Sequence, residues 1–201
     1  MKTALLADGT RARPFSAVRV LYAREEHARH APRATALLRW AAQEGAAVAA
    51  RTPSYVARLM HERKAVIALA RNRLVGFMFL QVWDGGTFVS HSGLVVDPAF
   101  RGRGIARALK EKILALTRRR FPRAAIVSLT RAPEVLRMNR RLGFRRVSQA
   151  DLPRDPPFWA ACRTCPFYDS PVRPKGERCC CVSTRYDPPG CSAPPARTLP
   201  W

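Results

Sequence analysis

Apolar and polar positions change period along the chain and divide it into short strands and helices. Ala17–Ala23 (AVRVLYA) alternates like a half-buried strand, and the alanine-rich stretch after it, through Glu44, reads as a helix stopped by Gly45. Thr52-Pro53-Ser54 supplies a cap and a first-turn proline for a second helix through Met60 to about Arg63. Three strand-like runs follow, Ala65–Ala70, Leu74–Trp83 and Thr87–Val96, with Asn72-Arg73 and Asp84-Gly85-Gly86 between them as hairpin turns. Ile105, Leu109, Ile113 and Leu116 then recur at helical spacing to about Arg119. Ala124–Leu129 is a short buried strand, Ala132–Leu142 a helix ended by Gly143, and Phe144–Val147 a further strand. The order β-α-α-β-β-β-α-β-α-β predicts an α+β fold, a mixed sheet with helices on its faces that is finished before Pro153.

What lies outside this periodic part differs in kind. Residues 1–15 are polar and proline-interrupted and read as a loosely held arm, residues 16–150 as the domain, and 151–201 as an irregular extension. Prolines are frequent in that extension and all six cysteines fall there. A length of 201 residues suits one main core. No apolar stretch approaches the roughly 20 residues that cross a bilayer, and the N-terminus is too weakly apolar for a secretory signal. The cytoplasm is therefore expected, with no membrane partner. The net charge of +22 would draw any polyanion, but 31 of the 36 cations are arginines scattered from end to end. Without an aromatic-interleaved basic cluster, the charge reads as a solvated exterior, and a nucleic-acid partner is not expected.

One stretch calls for a ligand. In Val96-Asp97-Pro98-Ala99-Phe100-Arg101-Gly102-Arg103-Gly104-Ile105-Ala106, two glycines alternate with arginines between an apolar strand and a helix start. A helix N-terminus exposes unpaired N–H groups and the positive end of its dipole, and glycines let a backbone approach an anion closely. The GKS or GKT ending of a nucleotide loop is absent, and Ala106 stands where a dinucleotide fingerprint would place its third glycine. Arg101-Gly102-Arg103-Gly104-Ile105-Ala106 matches the Arg/Gln-x-x-Gly-x-Gly/Ala motif of the GCN5-related N-acetyltransferases (GNAT), and Leu142-Gly143-Phe144 is similar to their later Leu-Gly-Phe signature. The resemblance covers about residues 17–150. It implies a mostly antiparallel central sheet with helices on both faces, acetyl-CoA as co-substrate, and a small amine as acceptor. It further implies that the amides of Arg101, Gly102, Arg103, Gly104, Ile105 and Ala106 hold the CoA pyrophosphate, while Leu94, Val95 and Val96 offer main-chain bonds to pantetheine and the acyl group. The sequence leaves the oligomeric state open, with a homodimer among the possibilities.

Acyl transfer to an amine needs a neutral amine, a donor for the developing oxyanion and a proton for the leaving thiolate. The resemblance implies Val95 N–H as the oxyanion donor and a base, often a glutamate, on the strand carrying Ser90-His91-Ser92. No glutamate stands there, which leaves His91 as the titratable group on that strand and Ser92 as a polar neighbour, with a core role for His91 equally open. Strand alternation sets Ser90 and Ser92 on the face opposite His91. Where the family often has a tyrosine acid, four residues before Gly143, this chain has Asn139, whose amide suits cofactor binding better than proton donation.

The extension adds Cys162-Arg163-Thr164-Cys165 and, further on, Cys179-Cys180-Cys181. Cys162, Cys165, Cys179 and Cys181 could make a four-thiolate structural zinc site, with unligated thiols and redox use as the alternatives. Asp151-Leu152-Pro153, Phe158-Trp159 and the CxxCP also resemble the tail of small bacterial acetyltransferases related to N-acetylglutamate synthase. That looser resemblance implies amino-acid metabolism, with Arg51 or Lys64 as partners for a substrate carboxylate. Two rival readings remain: a GNAT-fold binding module for RNA or a protein partner, and an acetyltransferase acting on protein N-termini or lysines.

Overall fold

A computed structural model describes residues 17–171 and 178–201, so the expected arm at 1–15 lies outside the described residues. Strands β1 (Val18–Tyr22), β2 (Ala65–Ala70), β3 (Arg73–Trp83) and β4 (Phe88–Val96) form an antiparallel meander, with α1 (Ala31–Gln43) and α2 (Pro53–His61) between β1 and β2. Helix α3 (Ile105–Arg120) crosses over to β5 (Ala125–Thr130), which lies parallel to β4. Helix α4 (Pro133–Arg141) leads to β6 (Arg145–Val147). The elements expected from periodicity are present within a residue or two, except that the stretch expected to be helical after Ala23 opens with a 3-10 turn at Glu25–His30 and α1 begins at Ala31.

The two halves of each strand's alternation serve two cores. Ile67, Phe77, Phe79 and Val95 face α1 and α2, packing with Leu37, Leu38, Leu59 and Met60. Val66, Ala68, Met78, Val89 and Val96 face α3, packing with Ile105, Leu109 and Ile113. Gly76 is required on this second face, because a Cβ there would lie 2.9 Å from the Leu109 side chain. The Thr52 hydroxyl accepts from Tyr55 N–H and starts α2 as its cap. No helix among the described residues is long and apolar enough to cross a membrane.

The sheet does not finish before Pro153. After α5 (Pro156–Ala160), strand β7 (Val182–Tyr186) enters between β5 and β6, and β8 (Thr198–Leu199) adds to the far edge, giving the order β1-β2-β3-β4-β5-β7-β6-β8. Residues 151–201 thus supply sheet strands as well as irregular chain, which corrects the boundary expected at residue 150. The physical reason lies in β7 itself, where Ser183, Thr184 and Arg185 are buried. Thr184 donates to Ser128 O and accepts from Asn139, while Arg185 donates to Asp187, Asp151 O and Pro194 O. Thr184 and Arg185, satisfied in this way, let a core strand form without an apolar signature, while the Ser183 hydroxyl is buried without a partner among the described residues.

The same segment is tied to the β3–β4 turn. Asp84 carboxylate oxygens accept from Arg154 and Asp155 N–H, Asp155 carboxylate accepts from Asp84 N–H, and Phe158 sets its ring edge-on to Trp83 at 5.4 Å.

Candidate active site

Strands β4 and β5 pair only from Phe88 to Ser90 against Ala125 to Val127, and part beyond that point. At the parting, β4 carries an irregularity: Phe77 faces Val95 and Phe79 faces Ser92, so β4 spends one residue more than β3. Gly93 takes this bulge with φ of 67°, and a Cβ on it would lie 2.4 Å from the Phe79 ring. Glycine is the residue that both the backbone angle and the space allow.

A cleft of about 490 Å³ opens there. Ser90, Ser92, Gly93 and Leu94 of β4, Ser128 to Thr130 of β5, and the segment Arg131–Pro133 line its central part. Gly45–Ala49 and Arg51, between α1 and α2, form one wall. Phe158, Phe167 and four cysteines of the extension form the other. Among the described lining residues, Arg51 and Arg131 alone carry a formal charge, and neither has a carboxylate within ion-pair reach. Arg51 stacks over Tyr55 and Phe79 at 5.5 and 5.7 Å, and its Nε is buried without a partner. Arg131 lies 4.3 Å over the Phe167 ring. Lys64, the other cation expected near a substrate, pairs with Glu62 at 2.7 Å and does not line the cleft.

The Asp97 carboxylate fixes the passage from β4 into the glycine-arginine turn. It accepts from Arg33 at 2.6 Å, Arg73 at 2.9 Å and Ala99 N–H at 3.1 Å. Burial alone would push its carboxyl upward, but these three donors outweigh that and hold it below its ordinary value. Beyond it, Arg101–Gly104 are exposed, and Gly102 and Gly104 stand at φ of 73° and 75° with open space where a Cβ would sit. Gly104 caps α3, so the unpaired amides of Ile105 and Ala106 open to the same side. Arg101 lies 4.9 Å over Trp40 and reaches Val96 O at 3.4 Å.

Of the other expected site residues, Asn139 and Val95 do not line the cleft, and His91 lines it with its ring bonded toward α3. His91 is 3% exposed, and its Nε2 meets Thr117 Oγ1 of α3 at 2.8 Å, on the sheet face opposite Ser90. Burial, then the nearby Lys110 ammonium, holds its pKa well below the ordinary histidine value, so the imidazole is neutral and engaged with α3. Asn139 is fully buried, and its Nδ2 donates to Thr184 Oγ1 at 3.0 Å, which makes it a tie between α4 and β7 and not a cofactor ligand. Val95 packs in the α1–α2 core. Since Asp97 N–H donates to Val75 O, two-residue alternation turns the Val95 amide toward β3 as well, while Leu94 lines the cleft. Ser92 does line the cleft, with Ser90 held beside it by Trp83 Nε1 at 2.8 Å.

The extension delivers cysteines to this site, which sequence reasoning treated separately. Cys162, Cys165, Cys179 and Cys181 all line the cleft. The signal that could have joined them to it is the Asp84–Asp155 pairing, which no local pattern reveals.

Comparison with known proteins agrees with this geometry. Residues 61–146 match the family model described as an acetyltransferase (GNAT) domain. Histidine N-acetyltransferase of Xenopus tropicalis is 34% identical over 70 residues, which cover 35% of this chain and 22% of the frog enzyme. N-acetylglutamate synthase from Neisseria gonorrhoeae, solved with coenzyme A and N-acetyl-glutamate, superposes with a TM-score of 0.62 at 17% identity, over 86% of this chain and 35% of that one. The yncA protein of Salmonella typhimurium, solved with acetyl-CoA, gives a TM-score of 0.63 at 16% identity, over 90% and 99% of the two chains. The present chain thus spans only about a fifth of the frog enzyme and a third of the synthase.

Proposed function

We propose that the chain, whose residues 61–146 match the acetyltransferase (GNAT) domain model, transfers an acetyl group from acetyl-CoA to the amine of a small carboxylate-bearing acceptor, of the amino-acid class. The observation that carries this reading is the cleft itself: β4 and β5 part next to a glycine-rich helix start, and the charged residues lining the opening are two arginines with no carboxylate partner among the described residues. The exposed amides at Gly102–Ala106 would take the pyrophosphate, with Arg101 and Arg103 adding positive charge at the rim. The opening between β4 and β5 would take the pantetheine arm and bring the thioester to the Gly93 bulge. There the Leu94 amide, not that of Val95, is the donor for the oxyanion.

The reaction is direct. The acceptor nitrogen attacks the thioester carbonyl, the C–N bond forms, the C–S bond breaks, and CoA leaves as a thiolate. The proton released from nitrogen passes to water in the cleft, and the thiolate is protonated in turn. Ser90 and Ser92 stand where such a water is held, and no carboxylate among the described lining residues competes for the role. Arg51, stacked on two rings, has its direction fixed before substrate arrives, which lowers the cost of forming a paired contact to a carboxylate. An acceptor lysine in a basic peptide would instead meet two arginines, which counts against the protein-acetylating alternative.

The test is a free-thiol assay of CoA release across amino acids, polyamines and basic peptides. Amino acids are expected to be the best acceptors, and Arg51→Leu is expected to raise acceptor KM about tenfold with acetyl-CoA KM unchanged. Preference for polyamines, or an Arg51→Leu enzyme with the parental acceptor KM, would refute the assignment.

A further inference from the structure

Five of the six cysteines converge on one place. The Sγ atoms of Cys179, Cys180 and Cys181 lie within 4.8 Å of one another. Cys179 is the hub: the sulfurs of Cys180 and Cys181 lie within 4.8 Å of its own, Cys162 is close enough to interact with it, and Cys181 N–H points at the same sulfur from 3.5 Å. Cys165 is in electrostatic reach of both Cys179 and Cys180, and its N–H closes back on Cys162 O at 2.9 Å, folding the CxxC into a tight turn. None of the cysteines is disulfide-bonded. The sixth, Cys191, stands apart, its thiol against Asp187 at 3.5 Å.

We propose that Cys162, Cys165, Cys179 and Cys181 hold a single zinc ion, and that this ion fixes the extension as the acceptor-side wall of the cleft. Four thiolates around tetrahedral zinc at about 2.3 Å stand roughly 3.8 Å from one another; Cys179 and Cys181 already lie within 4.8 Å of each other, and Cys162 and Cys165, which line the same cleft, close in on them when the ion binds. An all-sulfur set is soft, which excludes magnesium and calcium and selects zinc over the harder divalent ions. The Cys181 N–H aimed at the Cys179 sulfur is the kind of outer contact that steadies a metal-bound thiolate. On binding, each of the four thiols gives its proton to solvent, and no oxidant or reductant takes part. Cys180, the fifth thiol, does not line the cleft and is left outside the set.

The second half of the proposal rests on the acceptor reading above; the metal itself does not. Cys162, Cys165, Cys179 and Cys181 line the cleft together with Phe158 and Phe167 of the same segment and with Arg51. The glycine-arginine turn is made by a different part of the chain. Losing zinc should therefore loosen the acceptor wall and spare the CoA end.

The experiment uses the full chain purified under reducing conditions. Elemental analysis is expected to find about one zinc per chain. Cys162→Ser and Cys181→Ser should each lose the metal, while Cys180→Ser and Cys191→Ser should keep it. Should the ligand variants fail to fold, replacement of the bound metal by cobalt(II) in the wild type is expected to give the visible absorption of a tetrahedral thiolate site. Zinc below about a tenth of the chain concentration, iron in its place, or a disulfide among these cysteines in the protein as isolated would overturn the site. Retention of zinc by Cys181→Ser with its loss from Cys180→Ser would overturn the ligand set. Zinc removal by a thiol reagent and chelator should raise acceptor KM about tenfold or more while acetyl-CoA Kd holds; an equal loss at both sites would overturn the wall assignment. A chain that binds zinc but acetylates nothing would refute the enzymatic reading and leave the metal site standing.

Discussion

Lys110 is the most exacting test of the α3 side of the fold. Its side chain is fully buried, its Nζ has no hydrogen-bond partner, and the Phe144 ring lies 4.6 Å away. Burial lowers its pKa from 10.5 to about 7. At about 1.4 kcal/mol per pH unit, that fall corresponds to a preference of about 5 kcal/mol for the neutral amine. The sign follows from proton counting. Between about pH 7 and pH 10.5 the unfolded chain binds a proton that the folded chain does not, so stability rises with pH through that window and is at its lowest plateau below it. At pH 7 the residue destabilises the fold by about 4 kcal/mol, and at pH 9 by about 2 kcal/mol. Lys110→Met keeps the length and removes the charge, so it should raise unfolding free energy by roughly 2–4 kcal/mol at pH 7, with the gain about 2 kcal/mol smaller at pH 9. Urea titrations of both proteins at the two pH values measure this difference directly and cancel every other titrating group. A difference that does not change with pH would mean that the ammonium keeps a normal pKa, held by buried water or a charge partner, and would refute the reasoning.

Gly93→Ala should cost about 1–2 kcal/mol for the left-handed backbone and a further 1–3 kcal/mol for displacing the Phe79 ring, and should lower kcat by shifting the bulge, read by thermal melts and initial rates. Gly104→Ala meets open space, so the expected loss is only about 1 kcal/mol with a small rise in acetyl-CoA KM; a large loss of stability there would contradict an open cradle. A chain ending at residue 150 lacks β7 and leaves Asn139 and Ser128 O without Thr184, so it is expected to be insoluble or unfolded by circular dichroism.

The elements that periodicity makes legible are those with one apolar face. Ile105, Leu109, Ile113 and Leu116 announce α3 because they all pack on the α3 face of the sheet, and β2 announces itself because all six of its residues are buried. The glycine-arginine turn was legible for another reason, since two glycines at left-handed angles beside a helix start are a backbone requirement that leaves its mark on the sequence. Strand β7 leaves no such mark. Its buried residues are a serine, a threonine and an arginine, and the partners that offset the burial of Thr184 and Arg185 are spread over Ser128, Asn139, Asp151, Asp187 and Pro194. A strand stabilised by distant polar partners reads locally as loop.

His91 shows how far alternation reaches. The pattern correctly separates His91 from Ser90 and Ser92, yet nothing local says which face of β4 opens into the cleft. That is decided by what covers each face: Thr117 and Lys110 of α3 close over His91, while the other face meets only the walls supplied by Gly45–Arg51 and by the cysteine-bearing extension. The same cause places the cysteines. Asp84 holds Arg154 and Asp155 at the tip of the β3–β4 turn and β7 pairs with β5, and the described residues on the path between these anchors include Phe158, Phe167, Cys179 and Cys181, which line the cleft. The cysteine cluster lies on that path, so the strand that completes the sheet and the wall that bounds the acceptor space are set by one constraint on the route of the chain.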